Sequence, residues 1–94
     1  MNENESLELL LATHHFPGPF MFKVIGRDTH GFQARVLEAI RKALKIEQDP
    51  PFRTQSSSGG KHVSITLEPH VFKPDEVITV YRFLRETEGV LMVM

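Results

Sequence analysis

The sequence predicts an α+β domain in which two long helices alternate with four strands. Apolar residues at spacings of three and four indicate two amphipathic helices, and one segment alternates strictly between apolar and polar residues, as a strand does. Proline and glycine clusters separate these elements. The chain has 94 residues, 40% of them hydrophobic and 24% charged, which suits one domain with a single core.

The composition excludes several kinds of site. The chain has no Cys, which excludes disulfides, thiolate metal sites and cysteine nucleophiles. Its formal net charge of -1 argues against a whole face that binds phosphate polymers or anionic membranes. Because nothing points to an oxidising compartment, we expect a cytoplasmic protein.

A short N-terminal helix is predicted ahead of the main domain. It begins at Ser6, and its apolar residues follow the spacing that places them on one helix face. These residues are Leu7, Leu10 and Leu11. Acidic residues stand where a signal peptide needs basic ones, and no stretch reaches the roughly 18 apolar residues of a membrane span. We therefore expect a tail and helix over residues 1–15, docked on the core or ordered by a partner, and one domain over residues 16–94.

The first strand and the first long helix follow a rigid turn at residues 16–19. The run from Phe20 to Ile25 is rich in aromatic and β-branched residues and predicts a strand, which Gly26 is expected to end. After a polar loop, apolar residues recur at helical spacing and predict a helix of about 13 residues. Its apolar positions are Phe32, Val36, Ile40, Ala43 and Leu44.

A predicted hairpin follows the helix stop at Asp49-Pro50-Pro51. Residues 52–55 are expected to be extended, and the serine and glycine residues at 56–60 indicate a turn. From Lys61 to Glu68 apolar and polar residues alternate, which is typical of a strand with one face on the core and one in water. The inner positions are Val63, Ile65 and Leu67, and the outer positions are His62, Ser64, Thr66 and Glu68.

A second long helix and a last strand complete the domain. Pro74 suits the first position of a helix, and Asp75 and Glu76 follow where negative charge is favourable. The buried stripe of this helix consists of Val77, Val80, Tyr81 and Leu84. Glu88-Gly89 is expected to end the helix, and the apolar run from Val90 to Met94 predicts a strand.

This order of elements is the ferredoxin-like, split βαββαβ arrangement. Right-handed crossovers place both helices on one face of a four-stranded antiparallel sheet and leave the other face to solvent or a partner. The last strand is expected at a sheet edge, where an uncharged apolar strand favours pairing with another chain. Self-association or a protein partner is therefore expected, through the candidate residues Val90, Leu91, Met92, Val93 and Met94.

The candidate catalytic and metal-binding residues give little support to an enzymatic function. None of the five His residues stands at a metal-binding spacing with carboxylates, so we assign no metal ligand, no cofactor and no catalytic residue. The segment from Ser56 to Lys61 lacks the spacing of a P-loop and is interpreted as a hairpin tip, with an anion contact at Lys61 as the alternative. We expect a regulatory or binding module.

Nucleic-acid binding is a further hypothesis, and the sequence gives it little support. An RNA-recognition motif places aromatic residues on the open faces of its first and third strands, and Lys61 to Glu68 contains none. The features in its favour are the aromatic first strand and a basic outer helix face. This basic face consists of Arg35, Arg41, Lys42 and Lys45.

The stretch from Phe16 to Gly26 resembles the opening of the YbeD family, small bacterial proteins of unassigned molecular function. The serine and glycine turn with Val63 to Thr66 is similar to the hairpin and third strand of that family, and Val90 to Met94 is similar to its apolar C-terminus. The resemblance spans about residues 16–94. It implies a ferredoxin-like domain similar to ACT regulatory domains, with no accepted substrate.

The stretch from Asp28 to Val36 is similar to the first loop and helix of ACT domains, which sense amino acids. Asp28 and Gly31 match the acidic residue and the glycine of that motif, whereas His30 stands where Pro is usual. The resemblance implies a small-ligand site with the candidate residues Gly26, Arg27, Asp28, Thr29, His30 and Gly31. In the alternative interpretation, Asp28 or Thr29 caps the helix and Gly31 relieves crowding, without a ligand.

Overall fold

A computed structural model of the chain describes residues 8, 9 and 11–94. Its main helices are α1 (Phe32–Leu44) and α2 (Pro74–Arg85). Its strands are β1 (Gly18–Pro19), β2 (Phe22–Arg27), β3 (Phe52–Ser56), β4 (His62–Leu67), β5 (His70–Val71) and β6 (Val90–Val93). The order β2, α1, β3, β4, α2, β6 confirms the predicted βαββαβ arrangement.

A four-stranded antiparallel sheet forms the centre of the fold. Its strand order is β3-β4-β2-β6, so β6 lies at one edge, as predicted, and β3 at the other. Val24 of β2 stands opposite Ile65 of β4 on one side and Val93 of β6 on the other. A separate two-stranded sheet pairs β1 with β5. That sheet was not predicted, because strands of two residues have no recognisable periodicity.

The core lies between the sheet and both helices. Alternation along the strands buries Phe22 and Val24 of β2 and Ile65 and Leu67 of β4. The buried helix residues are Phe32, Val36, Leu37, Ala39, Ile40, Ala43, Val77, Val80 and Leu84. All of these side chains belong to one cluster, so both helices cover the same face of the sheet.

The first strand of the prediction corresponds to β2 and is shifted along the chain. It runs from Phe22 to Arg27 in place of Phe20 to Ile25, so Gly26 lies within the strand. Gly26 stands opposite Val63 of β4 and Val90 of β6, and pairing on both sides keeps its backbone extended. The prediction that Gly26 ends the strand is therefore wrong.

The second helix is shorter than predicted. It ends at Arg85, before Glu88-Gly89, and the hydroxyl of Thr87 closes its last turn by donating to the carbonyl oxygen of Phe83 at 2.8 Å. Gly89 then adopts a φ of 94°, in the left-handed region that glycine enters most easily. The chain thereby turns into β6 within a few residues of the helix end.

The N-terminal helix is described only in part. Residues 8, 9 and 11–13 are helical, and Leu11 packs against the core as predicted. The predicted start at Ser6 and the apolar residues Leu7 and Leu10 lie outside the described residues. Across the described part of the chain, no helix is long and apolar enough to cross a membrane.

The ring of Tyr81, the single tyrosine, packs at the border of the core. Phe22 contacts it edge-on with the ring centroids 5.2 Å apart, and the guanidinium of Arg85 lies 5.7 Å from its centre. Burial raises the pKa of the Tyr81 phenol above its usual value of 10.0, and the positive charge of Arg85 offsets part of that rise.

We expect the Tyr81 phenol to ionise at a higher pH in the folded chain than in the unfolded chain. Since the folded pKa is the higher one, the stabilisation from the neutral phenol is present below pH 10.0 and is lost as the pH rises through the folded pKa. The chain has one Tyr and no Trp, so phenolate absorbance reports this group alone. Titrations in buffer and in guanidinium chloride should give the higher midpoint in buffer, and equal midpoints would contradict the burial of the ring.

Candidate functional site

The predicted ligand loop connects β2 to α1 at one end of the sheet. Its exposed residues are Arg27, Asp28, Thr29 and His30. Gly26 is buried within β2, and Gly31 is half-buried at the start of the helix. The backbone N–H of Asp28 donates to the carbonyl oxygen of Lys61 at 3.0 Å. The loop therefore lies against the hairpin between β3 and β4, and its exposed side chains face solvent.

Gly26 is required by the packing of Phe32. A Cβ atom at position 26 would lie 2.2 Å from Cζ of Phe32 and 2.7 Å from the carbonyl oxygen of Gly89. Side chains do not tolerate contacts this short, and the surrounding core is close-packed. Packing alone therefore accounts for the glycine at this position, whether or not the loop binds a ligand.

Gly31 is the N-cap residue of α1, with φ 78° and ψ 1°. The alternative in which Asp28 or Thr29 caps the helix is wrong, because no side chain makes a hydrogen bond at this cap. The carbonyl oxygen of Thr29 instead accepts from the backbone N–H of Phe32 at 3.1 Å. The first turn contains no acidic residue, so the partial positive charge of this helix end is not offset within the helix.

Arg35 ties the β2–α1 loop to the α2–β6 loop. Its Nη1 donates to the carbonyl oxygen of His30 at 3.0 Å, and its Nε donates to that of Glu88 at 3.3 Å. Its Nη2 donates to Oγ1 of Thr29 at 3.4 Å. In the sequence, Arg35 is recognisable only as part of a basic helix face. Its spacing of four from Gly31 indicates that it lies near the loop, but the contact with Glu88 spans 53 residues and has no local signal.

Strand β6 forms an exposed, uncharged sheet edge. The exposed side chains here are Leu91, Met92 and Met94, at 53%, 52% and 50%. Val90 and Val93 are half-buried and pack against the core. Lys23 and Met94 exchange two backbone hydrogen bonds, of 2.8 and 2.7 Å. In an antiparallel pair the adjacent residue, Val93, then directs its N–H and C=O away from β2, toward the free edge.

The opposite edge, β3, is polar apart from Phe52. Its five residues are exposed and comprise Phe52, Arg53, Thr54, Gln55 and Ser56. Arg53 forms an ion pair with Glu68 at 3.1 Å. Since Ser57 donates its backbone N–H to His62 at 2.9 Å, the same alternation turns the backbone of Thr54 to the free edge. Charged residues at an edge discourage pairing with another strand, so the two edges of this sheet differ.

The sheet face away from the helices, which we call the open face, carries the side chains that alternate with the buried ones. They are Lys23, Ile25, Arg27, Arg53, Gln55, His62, Ser64, Thr66 and Met92. Phe20 and Phe22, which favoured the nucleic-acid hypothesis, are only 4% and 0% exposed and belong to the core. Within the described residues, no group of three His, Asp or Glu side chains could hold a metal ion.

Comparison with known proteins identifies relatives over most of the chain. A family model described as "Protein of unknown function (DUF493)" matches residues 12–94. A UPF0250 protein of Shewanella putrefaciens is 34% identical over 79 residues, which cover 84% of this chain and 88% of that protein. A UPF0250 protein of Haemophilus influenzae is 30% identical over 79 residues, which cover 84% of each chain.

Gly26→Ala is expected to destabilise the fold by about 2 kcal/mol, because the added methyl group must displace the Phe32 ring or the backbone of Gly89. The matched control is Gly59→Ala, since no atom lies within 4 Å of a Cβ at that position. We expect the control to change the free energy of unfolding by less than about 0.5 kcal/mol. Urea denaturation followed by circular dichroism measures both, and equal stabilities would contradict the close packing at Gly26.

Proposed function

Because the chain belongs to the DUF493 family of small bacterial proteins of unknown function, as its YbeD-like motifs predicted, we propose a function from its own geometry. In this proposal, the protein is a non-enzymatic binding module that assembles through strand β6. The strand that pairs with it is β6 of a second copy. Such pairing extends the sheet across the contact and leaves the helices of each copy in place.

The contrast between the two sheet edges carries this proposal. The β3 edge presents four polar side chains, one exposed Phe52 and the Arg53 to Glu68 ion pair, whereas the β6 edge presents only apolar side chains, among them Leu91, Met92 and Met94. All three apolar side chains are at least half exposed, and methionine adapts its shape to a partner surface. An edge of this kind, unprotected by charge, favours addition of a further strand.

A second copy fits this edge for two reasons. β6 has no charged residue, so two copies meet without repulsion between like charges. The N–H and C=O of Val93 already point outward, and an antiparallel partner related by a twofold axis offers the same two groups in return. On the open face, Met92 of each copy then comes near the apolar residues of the other.

A second candidate function is ACT-like sensing of a small ligand at residues 26–31. One observation favours it: α1 begins without a capping side chain and without an acidic residue in its first turn. Amide groups at such a helix end attract a carboxylate. Arg35 adds a positive charge beside the loop through its bonds to His30 and Thr29.

Val93→Pro is expected to weaken assembly, because proline removes the N–H at the free edge and leaves the bonds to β2 intact. Because the two copies are related by a twofold axis, the substitution removes two N–H donors from the contact. The free energy of association then weakens by about 2 kcal/mol, or roughly 30-fold in the dissociation constant. Sedimentation equilibrium of the full chain measures it. The native chain should approach twice its 10.7 kDa as concentration rises, while the variant stays nearer to one chain.

The matched control for this experiment is Thr54→Pro, which removes the corresponding outward N–H from the β3 edge. It should assemble like the native chain. A native chain that stays at 10.7 kDa up to about 1 mM contradicts assembly through β6. Equal weakening by both proline variants would contradict the choice of edge.

The second candidate function predicts that one or more of the twenty amino acids shifts the backbone amide signals of the β2–α1 loop. The carboxylate of the ligand would meet the amides at the start of α1, so the affected signals should lie between Arg27 and Phe32. Titrations followed by two-dimensional NMR measure these shifts. Unchanged signals over Arg27 to Phe32 with all twenty amino acids exclude this function.

A further inference from the structure

Short side chains on β4 leave a trough along the open face. Ser64 stands between Gln55 of β3 and Ile25 of β2, and Thr66 stands between Arg53 and Lys23. Because the flanking side chains are longer than the two hydroxyl residues, the surface is hollow along β4. Two adjoining cavities, of about 230 Å³ and 160 Å³, occupy this trough, and Lys23, Gln55 and Ser64 line both.

The hairpin end of the trough is closed by Ser57 and His62, which line the larger cavity. The backbone N–H of His62 donates to Oγ of Ser57 at 3.2 Å, and Ser57 donates its own N–H to the carbonyl oxygen of His62 at 2.9 Å. These bonds hold the Ser57 hydroxyl in place and leave its hydrogen free to donate. Hydroxyl, amide and imidazole groups therefore converge on one small space.

Lys23 supplies the positive charge of this trough. Arg53, at the other side, is already paired with Glu68 at 3.1 Å. Among the described residues, the Lys23 ammonium group forms no ion pair with a carboxylate and no hydrogen bond with another side chain. An unpaired lysine beside several hydrogen-bond donors is suited to an anion, and lysine is a common point-charge ligand of phosphate.

We infer that the trough binds a phosphate group, either free phosphate or the phosphate of a small metabolite. The larger of the two cavities, at about 230 Å³, is smaller than the roughly 300 Å³ at which pockets for drug-sized ligands begin, so it suits a phosphate group or a small phosphate ester. Lys23 neutralises the charge and the Ser57 hydroxyl donates to a phosphate oxygen, whereas the Ser64 hydroxyl donates to the carbonyl oxygen of Gln55 at 3.5 Å and forms the floor of the site. Ile25 offers an apolar wall for a short carbon chain. This site goes beyond assembly through β6 and does not depend on it.

The test is a titration of the full-length chain with inorganic phosphate and, separately, with glycerol phosphate, followed by amide NMR shifts at constant ionic strength set with sodium chloride. We expect saturable shifts at Gln55, Ser57, His62 and Ser64, with a dissociation constant of about 1 mM. Lys23→Gln should raise that constant at least about tenfold. Tighter binding of glycerol phosphate identifies a metabolite as the source, and tighter binding of inorganic phosphate identifies the free ion.

Two further variants test whether phosphate binds in the trough and not elsewhere on the protein. Lys42→Gln removes a lysine from the outer face of α1, where it pairs with Glu38 at 2.7 Å, and should leave the titration unchanged. Ser64→Val fills the floor of the trough without changing charge and should weaken binding as Lys23→Gln does. Shifts that grow linearly without saturation, or that respond equally to Lys23→Gln and Lys42→Gln, overturn the proposal.

Discussion

The ring of Phe32 fills the space left by Gly26 and Gly89, and the arrangement of β2, α1 and β6 depends on this contact. A Cβ atom would meet the ring at 2.2 Å from position 26 and at 3.0 Å from position 89. The guanidinium of Arg35, 6.0 Å from the centre of the same ring, bonds to the loops on both sides. The contact thus determines where the chain leaves β2 and where it enters β6.

The packing around Phe32 is consistent with a binding surface on the sheet and not on the helices. Both helices bury their apolar faces in one core, and β6 enters the sheet beside β2 with no described strand beyond it. Two parts of the sheet remain available: the uncharged backbone edge at Val93 and the open face with its trough around Lys23. The proposed assembly uses the outward backbone of β6, whereas the proposed anion site uses side chains of β2, β3 and β4 on the open face, so each can occur without the other.

The parts of this structure that have a local signal were predictable from the sequence. Helical spacing located α1 from Phe32 to Leu44, and alternation located β4 to within one residue at each end. The prediction for Gly26 was wrong because the sequence alone does not distinguish a glycine that ends a strand from a glycine that makes room for an aromatic ring. The role of Arg35 and the trough beside Lys23 depend on contacts or register between distant segments, for which the sequence carries no periodic signal.

In the proposed assembly, the backbone of Val93, which lies at a free edge, becomes paired when two copies meet. Amide hydrogen exchange at Val93, measured over a range of protein concentrations, tests it most directly, with the amide of Thr54 at the β3 edge as the internal reference. Both amides should exchange rapidly in dilute solution, and only Val93 should become protected as the concentration rises. Exchange at Val93 that stays fast at every concentration, or protection that appears equally at Thr54, would contradict the claim.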